Sequence, residues 1–252
     1  SVELIVEIPQ TDVKVKLTII QSKYYKVGDL YVVNGEPLGL VYEISDGGAH
    51  GKVVALKAHR DLNLWYRTGL PYDEIHPEDP NNVGVIARSE TDGQENMKAY
   101  KQIPDWKTHY PVAAYVSDLN DENGNPGWYL PAIKEVQAMV GWIDGEVLSP
   151  DGEAGQEPSE AMKEKRKAIN QLIVDNGGNE FYFYGYDVSF IIDQTNAWEA
   201  DYFNRIYTST ETDYQVHPMV FKFYLRNGWW ETMHVYGDLA GSYGEVRPFL
   251  AF

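Results

Sequence analysis

An α+β fold, made of antiparallel strands and two main helices, is the class this sequence predicts. Three observations predict it. Apolar and polar residues alternate along residues 1–20, Asn34-Gly35 and Asn227-Gly228 each separate two strand-like stretches, and the segments after Pro131 and Ser159 carry apolar residues at helical spacing. At the start of the chain, Val2, Leu4, Val6 and Ile8 alternate strictly, as do Val13, Val15, Leu17 and Ile19, with Pro9-Gln10-Thr11-Asp12 between them as turn residues. This reads as an N-terminal β-hairpin over residues 1–22, or as the end of a preceding domain. One larger domain follows over 23–252.

Within that domain, Tyr24 to Tyr42 reads as a further strand pair reversing at Asn34-Gly35, because both residues tolerate the positive φ of a two-residue hairpin. Asp46-Gly47-Gly48 turns the chain back into Val53 to Leu56. Residues 57–126 are loop-rich, broken by Pro71, Pro77 and Pro80, with one helix beginning near Asp92 or Thr91. Tyr110-Pro111 through Val116 reads as the end of that helical region or as a short apolar connector. The helix after Pro131 has proline in its first turn and Ile133, Val136, Met139 and Val140 on one face. Residues 144–160 are acidic and rich in Gly, Pro and Ser, a solvated loop. Ser159 then caps a helix through Ile173 that stops at Asn176-Gly177-Gly178, and its run Lys163 to Lys167 reads as an exposed face. From Phe181 the pattern is β again. Residues 181–206 read as an insertion near the ligand-facing side, Tyr207 to Thr210 as a strand, and Val220–Leu225 with Glu231–Tyr236 as a hairpin turning at Asn227-Gly228.

Composition narrows the function classes. The 252 residues carry a net charge of −17, which disfavours nucleic acid, anionic glycans and anionic membrane surfaces as partners. With no cysteine, the chain has no disulfide, thiol chemistry or thiolate metal site. No apolar stretch approaches the ~20 residues of a membrane-spanning helix. No signal segment is present, so for an exported protein Ser1 marks a processed or truncated start.

Several separated blocks carry a resemblance. They are Gly39 to Asp46 with His50 to Leu56, Gly127-Trp128-Tyr129-Leu130-Pro131 leading into a helix, Tyr207-Thr208-Ser209-Thr210-Glu211, and Val246 to Phe252. A weaker fifth is Ala168-Ile169-Asn170 followed by Gly177-Gly178. In order and spacing they resemble the Lcl C-terminal, or major paralogous domain, family of bacterial surface proteins. The resemblance implies a C-type-lectin-like domain and an adhesive role, secreted or at the cell surface, without naming a ligand. Since an apolar terminal run gains by burial, the first and last blocks are expected to pair as strands.

Chemistry is sparse. None of the six histidines (His50, His59, His76, His109, His217, His234) has a partner at metal-site spacing. Asp118-Leu119-Asn120-Asp121-Glu122-Asn123-Gly124-Asn125 is rich in oxygen donors suited to calcium, but no register matches a helix–loop–helix calcium loop; a polar turn before Trp128 is the favoured reading. No nucleophile or phosphate-loop signature is present, and formylglycine-type chemistry, suggested by fold resemblance, needs cysteine; no enzyme activity and no cofactor are expected. The expected ligand-binding residues are Asp213, Tyr214, His217, Trp229, Trp230, His234 and Tyr236, where aromatic rings and polar groups would receive a sugar or a protein surface. Strand alternation places Trp229 and Trp230 on opposite faces, so packing alone accounts for at most one of them on the core side. Tyr129, Glu211 and Arg247 are expected to serve the scaffold, with Glu211 and Arg247 as an internal ion pair. The function these features imply is a non-enzymatic binding or adhesion module for a glycan or surface protein. The alternative is a structural, tip or accessory subunit of a surface filament, partnered by other cell-surface subunits.

Overall fold

The computed structural model describes residues 2–7, 14–19, 24–60, 87–123, 127–144, 159–181, 205–211, 218–224, 229–234 and 245–252. Within these it is α+β, with antiparallel sheets and several helices.

The N-terminal hairpin forms as its alternation predicts. Strand β1 (Val2–Glu7) pairs antiparallel with β2 (Lys14–Ile19) as a separate two-stranded sheet. Its register sets Val2 opposite Ile19, Leu4 opposite Leu17 and Val6 opposite Val15, and Glu7 opposite Lys14. Directly opposed residues share a face, so one face of this ribbon is apolar throughout and the other is largely charged.

The main sheet runs β3-β4-β5-β9, with β3 (Leu30–Val33), β4 (Glu36–Ser45), β5 (His50–Ala55) and β9 (Phe249–Ala251), every neighbour antiparallel. Asn34 and Gly35 turn β3 into β4 with φ of 52° and 88°, the left-handed pair the sequence predicts. The expected pairing of the first and last blocks is present: Val53 lies opposite Leu250 and Val54 opposite Phe249. Phe252 is seated beyond them, its ring 5.0 Å from Tyr25 and 5.3 Å from Tyr31. Leu40, Val41, Val53, Val54, Phe249 and Leu250 are all within 1 % of full burial, and burying such a side chain is worth roughly 1.5–3 kcal/mol.

Helix α1 (Gly93–Tyr100) begins at Asp92, whose carboxylate accepts from Glu95 N at 2.9 Å. A short α2 (Trp106–His109) leads into α3 (Pro111–Asn123), and this corrects two expectations. The Tyr110–Val116 stretch is neither a connector nor the tail of the preceding helix. It starts a 13-residue helix with proline at its first position, where the missing N–H costs nothing, and it buries Val112, Ala113 and Val116. The oxygen-rich run from Asp118 is therefore mostly helical: Asp118 pairs with Lys107, and Asn120 is spent on the backbone of Trp128.

Helix α4 (Ile133–Asp144) buries Ile133, Val136, Met139, Val140 and Ile143 and lies against β4. Pro131 stands just before its first turn rather than within it. Helix α5 (Glu160–Asp175) has its Ser159 cap and ends as predicted, with Gly178 N donating to Ile173 O and Gly177 N to Val174 O around the left-handed Gly177. Its charge run is not wholly exposed: Arg166 is buried, because it shares the inward stripe with Ile169, Asn170 and Ile173. The acidic loop expected over 144–160 and the insertion expected over 181–206 lie almost entirely outside the described residues.

A second sheet, β6-β7-β8, comprises β6 (Arg205–Glu211), β7 (Pro218–Tyr224) and β8 (Trp229–His234), all antiparallel; the β7–β8 pairing is the one the sequence suggests, while its Asn227-Gly228 turn lies outside the described residues. Isolated bridges join the carboxyl-terminal segment to the rest: His59 to Val246, Tyr129 to Phe249 and Ile206 to Glu245.

Candidate functional site

The blocks that carry the sequence resemblance converge on two buried polar centres. Gly127 to Pro131 leads into α4 so that Glu135 occupies its third position, where a carboxylate can reach back over the first turn. Glu135 Oε2 accepts from Ala132 N at 2.9 Å and from Gly93 N at 3.0 Å. Its Oε1 accepts from the Tyr129 hydroxyl at 2.8 Å and faces Lys52 Nζ at 2.9 Å. One carboxylate thus ties β5, the start of α1, the Tyr129 segment and the start of α4. Thr210 Oγ1 completes the cap from a distant strand, accepting from Ile133 N at 3.1 Å. Gly93 permits the close approach: a Cβ there would lie 2.3 Å from Leu130 O.

Burial, and after it the nearby Glu135 charge, holds the Tyr129 hydroxyl far above the ordinary phenol range. The buried Tyr42 hydroxyl, without a hydrogen-bond partner among the described residues, is raised by burial first and then by Tyr129 and Glu135. Both phenols stay neutral in the fold while an unfolded tyrosine ionises near pH 10, so their contribution is complete below that pH and falls as pH rises above it. Each group removes about 1.4 kcal/mol of stability per pH unit above ~10. Denaturant unfolding across the alkaline range should therefore show a slope shallower by about that amount in Tyr129→Phe; an unchanged slope would contradict the shift.

The second centre is Arg247, fully buried. Its Nε donates to Glu245, its Nη1 to Ala55 O and Leu56 O at 3.1 Å each, and its Nη2 to Asn179 O at 2.8 Å. The guanidinium carbon lies 4.0 Å from the centre of the Phe181 ring. Glu245 also receives Arg60, at 2.8 Å. The expected Glu211–Arg247 ion pair is not formed. Glu211 lies at the end of β6 and accepts from Ala87 N, whereas Glu245, two residues before Arg247 on an extended segment, shares its side of the chain. Asn170 fixes the same region from α5, exchanging hydrogen bonds with Phe181 N and O at 2.8 and 2.7 Å.

Of the seven expected ligand residues, Trp229, Trp230 and His234 fall on β8, opposite Tyr224, Phe223 and Met219 respectively. Trp229 and His234 stand at the two ends of this strand, about 17 Å apart at ~3.3 Å per residue. Asp213, Tyr214, His217 and Tyr236 lie outside the described residues. Among the described residues, no cluster of three or more His, Asp or Glu side chains is arranged to hold a metal ion.

A cavity of about 540 Å³ opens elsewhere, between the β3–β4 turn, the end of β5, α3 and the carboxyl end of α5. Leu38, Tyr115, Leu119 and Trp128 are among its apolar and aromatic lining, and Asn34, Glu36, Lys57 and Asn176 among its polar lining. Tyr115 and Leu119 are one helical turn apart on α3. Trp128 is held by Asn120, whose amide accepts from Trp128 N at 2.6 Å and donates to Trp128 O at 2.9 Å. His59 stacks on Tyr115 with ring centres 4.3 Å apart, leaving the cavity only the other face or the edge of that ring. Sequence reasoning did not find this cavity, which draws on four elements far apart in the chain.

No family model matches the chain, and no curated protein matches it. A solved structure of a fimbrial protein from Bacteroides ovatus is similar, with a TM-score of 0.50 and 16 % identity. The similarity covers 90 % of this chain and 49 % of that one, so the chain spans about half of that protein's length. At this identity the likeness is one of fold alone. Among the described residues, no helix is long and apolar enough to cross a membrane.

Proposed function

We propose that this chain serves, without catalysis, as a structural or accessory subunit of a bacterial surface filament. The observation that carries this reading is the fold shared with a fimbrial protein over nine-tenths of the chain. The N-terminal ribbon adds to it. A two-stranded sheet is marginal on its own in water, and one whose register gathers Val2, Leu4, Val6, Val15, Leu17 and Ile19 on one face is suited to packing against another surface. Sheared surface filaments of the producing bacterium, probed with an antibody to this chain, are expected to contain it. Its confinement to the soluble cell interior would overturn the proposal.

A second, adhesive reading keeps a C-type-lectin-like frame and a glycan or protein ligand. Its support is the meeting of the blocks that resemble the major paralogous domain family: β5 beside β9, Tyr129 bridged to Phe249, and Thr210 capping α4. Trp229 and Trp230 on β8, the end strand of its sheet, supply the aromatic candidates for contact. A glycan array with and without EDTA tests it, with hits expected to disappear in Trp229→Ala or Trp230→Ala. An array on which no glycan is bound would count against this reading.

A further inference from the structure

We propose that the cavity between α3, the β3–β4 turn and the end of α5 binds a neutral sugar, of mono- or disaccharide size. This site lies on the main sheet, apart from the β8 tryptophans, and the inference goes beyond the filament reading without depending on it.

Size is the first argument. About 540 Å³ falls within the roughly 300–1,000 Å³ typical of small-molecule sites. The second is the distribution of chemistry. Leu38, Leu119, Trp128 and Tyr115 give an apolar and aromatic lining, whereas Asn34, Glu36 and Lys57, also lining it, are solvent-exposed. Among the described residues these three side chains make no hydrogen bond or ion pair, so their donors and acceptors are available to a ligand. A sugar ring has the complementary layout, with C–H faces that pack on apolar walls and hydroxyls around its perimeter that donate to a carboxylate and accept from an ammonium or amide.

The third argument is charge. Glu36 and Lys57 bring opposite charges to the lining, and the chain as a whole is at −17, which disfavours an acidic sugar. The fourth is preorganisation. Trp128 is clamped on both backbone atoms by Asn120, Tyr115 is backed by His59, and Asn176-Gly177 belongs to the closed end of α5. Walls held in this way need little ordering when a ligand enters.

The test is backbone-amide NMR of the whole chain, titrated with the methyl glycosides of glucose, galactose, mannose and N-acetylglucosamine, and with a neutral tripeptide rich in leucine. At least one glycoside is expected to shift the amides of Asn34, Lys57, Leu119, Trp128 and Gly177. Glu36→Gln, an exposed substitution expected to leave the melting temperature unchanged, should weaken that binding about tenfold, the usual effect of losing a charged hydrogen-bond partner. Leu119→Trp, which puts a bulkier ring into the cavity lining, should weaken it further, and Trp229→Ala and Trp230→Ala should leave it intact. The proposal is overturned if no glycoside moves these amides at tens of millimolar, or if only the tripeptide does. It also fails if binding survives both Glu36→Gln and Leu119→Trp, or disappears with the β8 tryptophans.

Discussion

Arg247→Ala is expected to lower stability by about 3–5 kcal/mol, with Arg247→Lys recovering only part of it. The side chain is 0 % exposed, so no water replaces what it loses. Its five donors are divided among Glu245 and the carbonyls of Ala55, Leu56 and Asn179, and each carbonyl left unpaired carries its own desolvation cost. Arg60 would still compensate Glu245, which keeps the loss from growing further. A lysine preserves the charge but cannot span acceptors on three segments with a single ammonium. In a chain of this size the alanine variant corresponds to a fall of roughly 6–20 °C in melting temperature. Calorimetry that finds the variant melting with the wild type would show that the latch does not hold the fold.

A loss of similar size, about 3–5 kcal/mol, is expected for Glu135→Ala, and a smaller one for Glu135→Gln. Alanine leaves two backbone N–H groups, a phenol and an ammonium facing a buried gap. Glutamine keeps the volume but replaces one acceptor oxygen with an amide NH₂. Turned one way it meets the N–H groups of Gly93 and Ala132, and turned the other it meets Lys52, so either orientation sets donors against donors. Lys52→Met should cost less than either, because the lysine side chain is 27 % exposed and its charge is partly solvated already. Equilibrium denaturation of the three variants checks the ranking. A Glu135→Gln protein as stable as wild type would mean that the four contacts contribute little.

Elements whose signals are local were legible in the sequence. Asn34-Gly35 could form only a tight reversal, Ser159 and Gly177 bracket α5 by short-range capping, and the alternation of residues 2–19 leaves one register that separates apolar from charged residues. The partnership of residues 39–56 with 246–252 was legible too, through the apolar character of the later segment. Helix α3 was not, because Val112 to Val116 is too short an apolar run to distinguish helix from connector without its packing partners. Arg166 illustrates the same limit: its place on the buried stripe is decided by what lies opposite, and a run of charges conceals it. The Arg247–Glu245 pair and the Glu135 contacts lay beyond sequence reasoning because Glu245 and Glu135 were indistinguishable from the other acidic side chains until the backbone brought them into place. The cavity has no sequence signature at all. It exists only where four separately encoded segments fail to close against one another.

The pairing of β5 with β9 joins positions roughly 200 residues apart. On a ribosome, the outer edge of β5 therefore waits, its N–H and C=O groups unmatched, until nearly all the intervening chain has been made. For that interval the half-built sheet offers itself to any passing strand, and its safety rests on chaperone cover or on speed. A cell that makes this protein in quantity must guard an unfinished seam for as long as translation takes to reach residue 251.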